Sequence, residues 1–145
     1  KWASEDAFVI QNDMRVKAGA KPLRWSDRIY EIASLRAYMM ATKDGLTHTG
    51  IWRDEKKMLK KWGYSDSELK EAPQIRGENI VDYFNSPKKA MNSWKNSKGH
   101  YENLTNKNYK SGAISVYMVY DVDKDCSIKW CSNFSPEENY DLKIK

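Results

Sequence analysis

Gly77-Glu78-Asn79-Ile80 is the stretch whose reading decides the rest of the chain. It sets one carboxylate near the head of an apolar run, Ile75 to Tyr83, which reads as a strand or a strand-like entry to a cleft. It lies roughly midway between the only two histidines, His48 and His100. A carboxylate and two imidazoles can bind a divalent metal, move a proton near neutral pH, or form a polar network in which each His is hydrogen-bonded to Glu78, to a backbone carbonyl or to water. The expectation is therefore that the fold brings these three side chains into one surface cleft.

Working outward from Glu78, Ser86-Pro87 starts a helix with a cap and then a proline at its first position. Ala90, Met91 and Trp94 supply its buried face, and Lys98-Gly99 ends it directly before His100. Asn103 to Lys110 reads as loop. From Gly112 to Tyr120 the residues Ile114, Val116, Met118 and Tyr120 alternate with Ala113, Ser115, Tyr117 and Val119. This is the best strand pattern in the chain, and both of its faces can be buried. Asp121 to Asp125 is a turn, and Ile128 to Phe134 returns as the second strand of an antiparallel hairpin. The tail from Ser135 is charged.

Upstream, Ala3, Ala7, Ile10 and Met14 recur at helical spacing and predict a helix from about Ala3 to Lys17, capped near Ser4. Ala18-Gly19-Ala20 and Lys21-Pro22 end it, and Leu23-Arg24-Trp25 is a connector. Ser26 caps a second helix with Ile29, Ile32, Ala33, Ala37 and Met40 on one face and Gly45 at its left-handed end. Leu46 to Gly50, which carries His48, is the loop leaving that helix. A third helix fits Arg53 to Trp62, with Met58, Leu59 and Trp62 inward. Ser65 to Arg76 is polar and irregular. Helices first and strands later indicate an α+β domain with helices packed on a small antiparallel sheet.

At 145 residues the chain is long enough for one domain with a substantial core. A hydrophobic share of 40%, with six Trp and nine Tyr, excludes a disordered segment. No apolar run approaches the ~20 residues that cross a bilayer. No signal peptide is visible, and the abrupt start at Lys1 leaves a removed export signal open. The net charge of +5 suits either an acidic partner or a surface kept soluble by lysine. Asp and Glu are interspersed nearly everywhere, no clean basic stripe stands out, and no nucleic-acid partner is expected. Cys126 and Cys131 do not form a C-x-x-C pair, which argues against thioredoxin-like chemistry and a zinc knuckle. They bridge if a hairpin turn sets them face to face, and lie far out of reach if both belong to one extended strand.

Two smaller signals carry little. Asp121-x-Asp123-x-Asp125 is similar to the first half of a calcium loop. It has Cys126 where the loop needs Gly and Ser132 where it needs Glu, so it reads as a solvated turn. Asn103-Leu104-Thr105 and Asn133-Phe134-Ser135 fit the glycosylation sequon by chance.

Taken together the motifs resemble the CAP superfamily, or SCP domain, in its short bacterial branch. Asn12-x-x-Arg15, Gly19 and Pro22-Leu23-x-Trp25 look like its opening. His48-Thr49-Gly50 is similar to its first histidine motif, and Gly77-Glu78-Asn79-Ile80 to its G-E-N signature. Ala90-x-x-x-Trp94-x-x-Ser97-x-Gly99-His100, with Asn103-Leu104, Tyr109 and Gly112, matches the bacterial branch. Trp130 through Phe134 resembles the closing strand. The resemblance covers nearly the whole length and implies a single domain over 1–145, a three-layer α-β-α sandwich with about four helices around the sheet. It also implies a cleft lined by His48, Glu78 and His100, with Ser97 where animal members carry a second Glu. That departure removes a charge which would support a cation.

Three functions follow for such a cleft. A metal site would use His48, His100 and Glu78 with Zn2+ or another divalent cation, although no cofactor is required. A hydrolase of peptides or esters would use a relay of Ser97, His100 and Glu78, but no nucleophile elbow is present. The favoured expectation is a monomeric binding module, secreted or at the cell surface. Tyr83, Tyr101 and Trp52 would rim its cleft around a lipid, glycan or peptide.

Overall fold

The computed structural model describes residues 1–48, 57, 59–61, 63–70, 75–121 and 124–137. Helix α1 runs Trp2–Lys17. Its buried line is Ser4, Ala7, Phe8, Gln11 and Arg15; of the expected stripe Ala7 is fully buried, while Ala3, Ile10 and Met14 are only partly buried. Ser4 is not the cap; Lys1 holds that position. The difference occurs because Arg15 finds four carbonyl partners inside the protein, which outweighs the apolar periodicity. The expected connector is a short strand, β1 (Arg24–Trp25), which pairs in parallel with Ser111 and Gly112.

Helix α2 (Asp27–Met39) starts where Ser26 Oγ accepts the Ile29 backbone N–H at 3.1 Å. It widens into a π-type turn, Met40–Asp44, and stops at Gly45 with φ of 70°, a backbone angle that favours glycine. The described residues at 57 and 59–61 are helical with Leu59 buried; the rest of the expected Arg53–Trp62 helix lies outside the described residues. A short helix, α3 (Asp66–Lys70), occupies part of the stretch read as irregular. Ser65 and Glu68 cap it reciprocally: the Ser65 N–H donates to Glu68 Oε2, and Ser65 Oγ accepts from the Glu68 N–H.

Strand β2 is Gly77–Asp82. Helix α4 (Pro87–Lys95) has the expected Ser86 cap and the expected buried Ala90, Met91 and Trp94. The chain does not then relax into a loop. A further helix, α5 (Lys98–Leu104), begins at once, with Ser97 at its N-cap position and His100 in its first turn. Strands β3 (Ser111–Asp121) and β4 (Lys124–Ser135) form the antiparallel hairpin. The tip of β3 is not buried on both faces, since Tyr117, Met118 and Tyr120 are exposed. The side chains of the aspartates at 121, 123 and 125 lie outside the described residues.

The sheet order is β1-β3-β4-β2, so β1 and β2 are its two edges. Ile114, Trp130 and Phe134 face α1, α4 and α5 and join Phe8, Met91 and Trp94 in the larger core cluster. The opposite face carries Ala113 against Ile29 and Ile32 of α2, and Ile80 and Cys131 against Ala33, Ala37 and Met40. These are the three layers implied by the sequence, α-β-α.

Candidate functional site

Alternation along β2 decides where its polar residues go. Glu78 and Ile80 share the α2 face, pairing across the ladder with Asn133 and Cys131 of β4. Asn79 points to the other face, where its Nδ2 donates to the His100 carbonyl at 3.0 Å. The edge strand therefore offers one polar side chain to each layer. A cavity of about 490 Å3 straddles that edge, lined by His48, Glu78, Asn79, Ser97, His100 and Asn103 among others. His48 reaches it from the loop after α2, and His100 from the first turn of α5. The four residues expected in one cleft line one cleft.

Inside it they form a hydrogen-bonded network and not a ligand set or a relay. Glu78 is fully buried and its carboxylate is saturated by the protein. Arg36 grips both oxygens, Nε on Oε2 at 3.1 Å and Nη2 on Oε1 at 3.0 Å. Asn133 Nδ2 donates to Oε2 at 2.9 Å and the Cys131 thiol at 3.3 Å. His48 Nδ1 lies 2.9 Å from Oε1. Burial alone raises the carboxyl pKa, but hydrogen bonds from His48 and Arg36, the Arg36 charge and Asn133 overcome it and bring the value to about 2. An ionised carboxylate only accepts, so His48 Nδ1 carries the proton, and in the neutral ring Nε2 is the lone-pair atom. Half of the His48 side chain is exposed.

His100 is held separately. Its Nδ1 is 2.9 Å from Ser97 Oγ, and burial, then the His48 charge, lower its pKa from 6.5. Asn103 Nδ2 donates to the Glu78 carbonyl and to Asn79 Oδ1, and Asn103 Oδ1 accepts from the Tyr109 hydroxyl, tying α5 to the edge strand. A Cβ at Gly77 would collide with that hydroxyl, so the approach needs glycine.

Several readings of the sequence are corrected by this arrangement. The relay of Ser97, His100 and Glu78 is not assembled, because the carboxylate bonds to His48 and not to His100. The three-ligand metal site fails too. Among the described residues no three His, Cys, Asp or Glu side chains are grouped to hold an ion. Glu78 has no lone pair to spare, and two imidazoles fall short of the three protein ligands of a zinc centre. The Cys126–Cys131 bridge is absent: both positions lie in β4, five residues and ~17 Å apart along extended chain. Cys131 is a free buried thiol whose pKa is raised well above its ordinary value by burial and by Glu78, so it stays a donor. Tyr83 and Tyr101 do not rim the cleft, since Tyr83 projects into solvent and Tyr101 packs on the core; Trp52 lies outside the described residues.

The residues missed by sequence reasoning are Arg36, Asn133 and Cys131 around Glu78. Arg36 did leave a signal: it falls on the apolar face of α2, three residues after Ala33 and four after Ile32, where a lone charge demands a buried partner.

A family model described as the cysteine-rich secretory protein family, CAP, matches residues 10–134. YkwD, an uncharacterised protein of Bacillus subtilis (strain 168), is 30% identical over 101 residues, covering 69% of this chain and 37% of its own length. The structure of an extracellular Bacillus anthracis protein containing an SCP domain superposes with a TM-score of 0.68 at 21% identity, over 93% of this chain and 40% of that one. A cysteine-rich secretory protein of Staphylococcus aureus gives 0.64 at 20% identity, over 93% and 38% of the two chains. An outer surface protein of Borrelia burgdorferi gives 0.61 at 18% identity, over 92% of each. The chain thus spans about two fifths of the length of both Bacillus relatives.

Proposed function

The chain belongs to the cysteine-rich secretory protein family, and on that premise we propose that its cleft is a binding site for a polar ligand, a glycan or a peptide. The observation that carries this reading is the saturation of Glu78. With its carboxylate consumed by Arg36, Asn133, Cys131 and His48, Glu78 is not available as a general base, and the cavity offers mainly hydrogen-bonding groups. Beside Glu78, the cavity is lined by the amides of Asn79, Asn103 and Asn106, the Ser97 hydroxyl, the two rings and the Glu102 carboxylate. Such walls suit sugar hydroxyls or peptide groups and leave an acyl chain without an apolar contact. The working compartment is the cell exterior, as the neighbours described as extracellular or outer-surface proteins support. No helix among the described residues is long and apolar enough to cross a membrane.

The test is a histidine-resolved NMR titration with soluble cell-wall glycan fragments and with short peptides. Saturable shifts of the His48 and His100 ring signals are expected, lost in an Asn79→Ala variant that still folds. Silence of both rings up to millimolar ligand, with shifts on adding fatty acid instead, would reverse the assignment. The 2.9 Å contact between Ser97 and His100 favours a second reading, hydrolysis of peptides or esters. Turnover above background that disappears in Ser97→Ala would replace binding with catalysis.

A further inference from the structure

At the other edge of the sheet, beside β1, lies a second cavity of about 380 Å3. One wall is the turn from α1 into β1, with Lys21 and Arg24. The facing wall is the turn from α5 into β3, with Lys107 and Lys110. All four side chains are exposed, and among the described residues no carboxylate lines the cavity. Among the described residues Lys21, Lys107 and Lys110 take part in no ion pair.

The separation of the two walls is set from beneath. Arg15, wholly buried, donates from Nε to the Lys21 carbonyl at 2.9 Å on one wall. On the other it donates to the carbonyls of Leu104 at 2.8 Å, Asn106 at 3.0 Å and Tyr109 at 3.1 Å. Four of its five N–H donors are spent on carbonyl oxygens, so its geometry is fixed while its charge meets no carboxylate among the described residues. A fifth positive charge, only weakly screened, lies under a rim of four.

We propose that this cavity binds a phosphate ester carrying at least two negative charges. A volume of this size takes a sugar-phosphate-sized group and not merely a lone ion. Lysines from both walls, Lys21 on one and Lys107 and Lys110 on the other, reach the oxygens as point charges. The same chemistry is offered by a free phosphate compound and by a phospholipid headgroup.

The experiment titrates the protein with sodium tripolyphosphate by calorimetry at low and at moderate ionic strength, and separately floats it with phosphatidylcholine vesicles with or without phosphatidylglycerol. The paired variant Lys107→Glu/Lys110→Glu should weaken tripolyphosphate binding about 10-fold or more. The paired control Lys88→Glu/Lys89→Glu, an equal charge change on the exposed surface of α4, should stay within about twofold of wild type. Flotation only with phosphatidylglycerol, and with the same variant dependence, makes the headgroup the source; binding of tripolyphosphate alone makes it a free compound. Equal losses in the two paired variants, or no binding even at low salt, overturn the proposal. His100→Ala serves to separate this site from the cleft, because it should leave tripolyphosphate binding unchanged whatever becomes of the polar ligand.

Discussion

The two edges of the sheet each rest on a buried arginine, and the two arginines do opposite things. Behind β2, Arg36 meets a carboxylate head-on and its charge is cancelled inside the protein. Behind β1, Arg15 meets four backbone carbonyls, which satisfy its N–H groups as dipoles but leave its charge standing. Burial lowers the Arg15 pKa, and no carboxylate holds it up. At β2 the buried charge is consequently neutralised within the protein, whereas the cavity at β1 is rimmed by cations. Satisfying hydrogen bonds and neutralising charge are separate requirements, and this fold meets both at one edge but only the first at the other.

The largest expected effect comes from breaking the neutral edge. Arg36→Met leaves Glu78 as an unpaired buried charge and should cost about 3–5 kcal/mol by urea unfolding. Adding Glu78→Gln should recover much of that loss. A single-variant cost under ~1 kcal/mol would mean that the carboxylate is not held as a buried ion.

Acid should act on the same edge. The Glu78 pKa falls on folding from 4.5 to about 2, so its contribution is fully present above pH 4.5 and is lost as pH falls toward 2. At about 1.4 kcal/mol per unit the loss is roughly 3 kcal/mol. Glu78→Gln should lack this drop in an acid unfolding series.

At the positive edge Arg15→Lys keeps the charge but cannot span four carbonyls, and should cost about 2 kcal/mol. Its unfolding between pH 4.5 and 2 should follow the wild-type slope. A changed slope would reveal a carboxylate coupled to Arg15 and remove the difference between the two edges.

The smallest effect is within the cleft. His100 should titrate below 6.5, so the unfolded chain binds the proton first and stability rises with pH as pH climbs toward 6.5. His48→Asn should move the His100 midpoint only partway back up, because burial is the larger cause. NMR titration of the ring proton checks both.

How far such contrasts were legible beforehand depends on the kind of signal. Local ones were read correctly: Ser26 and Ser86 cap the helices expected of them, and Gly45 stops α2. The Ser65–Glu68 capping box was legible but lay in a polar stretch read as irregular. Periodicity misplaced the buried face of α1, because Gln11 and Arg15 count as polar in any hydropathy pattern and yet are inside. His100 was expected after a helix; two helices meeting at Ser97 differ from a helix and a loop only in how the chain turns back onto the sheet.

The amino-acid sequence by itself carried the family resemblance, because motif order and spacing are properties of the chain, and the α-β-α layering and a cleft of His48, Glu78, Ser97 and His100 were what that resemblance implied. Only the tertiary structure decided what those side chains bond to. Arg36 lies 42 residues from Glu78 and Asn133 lies 55, so a carboxylate that looks available in sequence is consumed in space. The same folding gathered Lys21, Arg24, Lys107 and Lys110, scattered along the chain without a visible stripe, around one cavity. Charge interactions follow distance through the folded protein and not separation along the chain, and that distance is set when the loops close over Arg15.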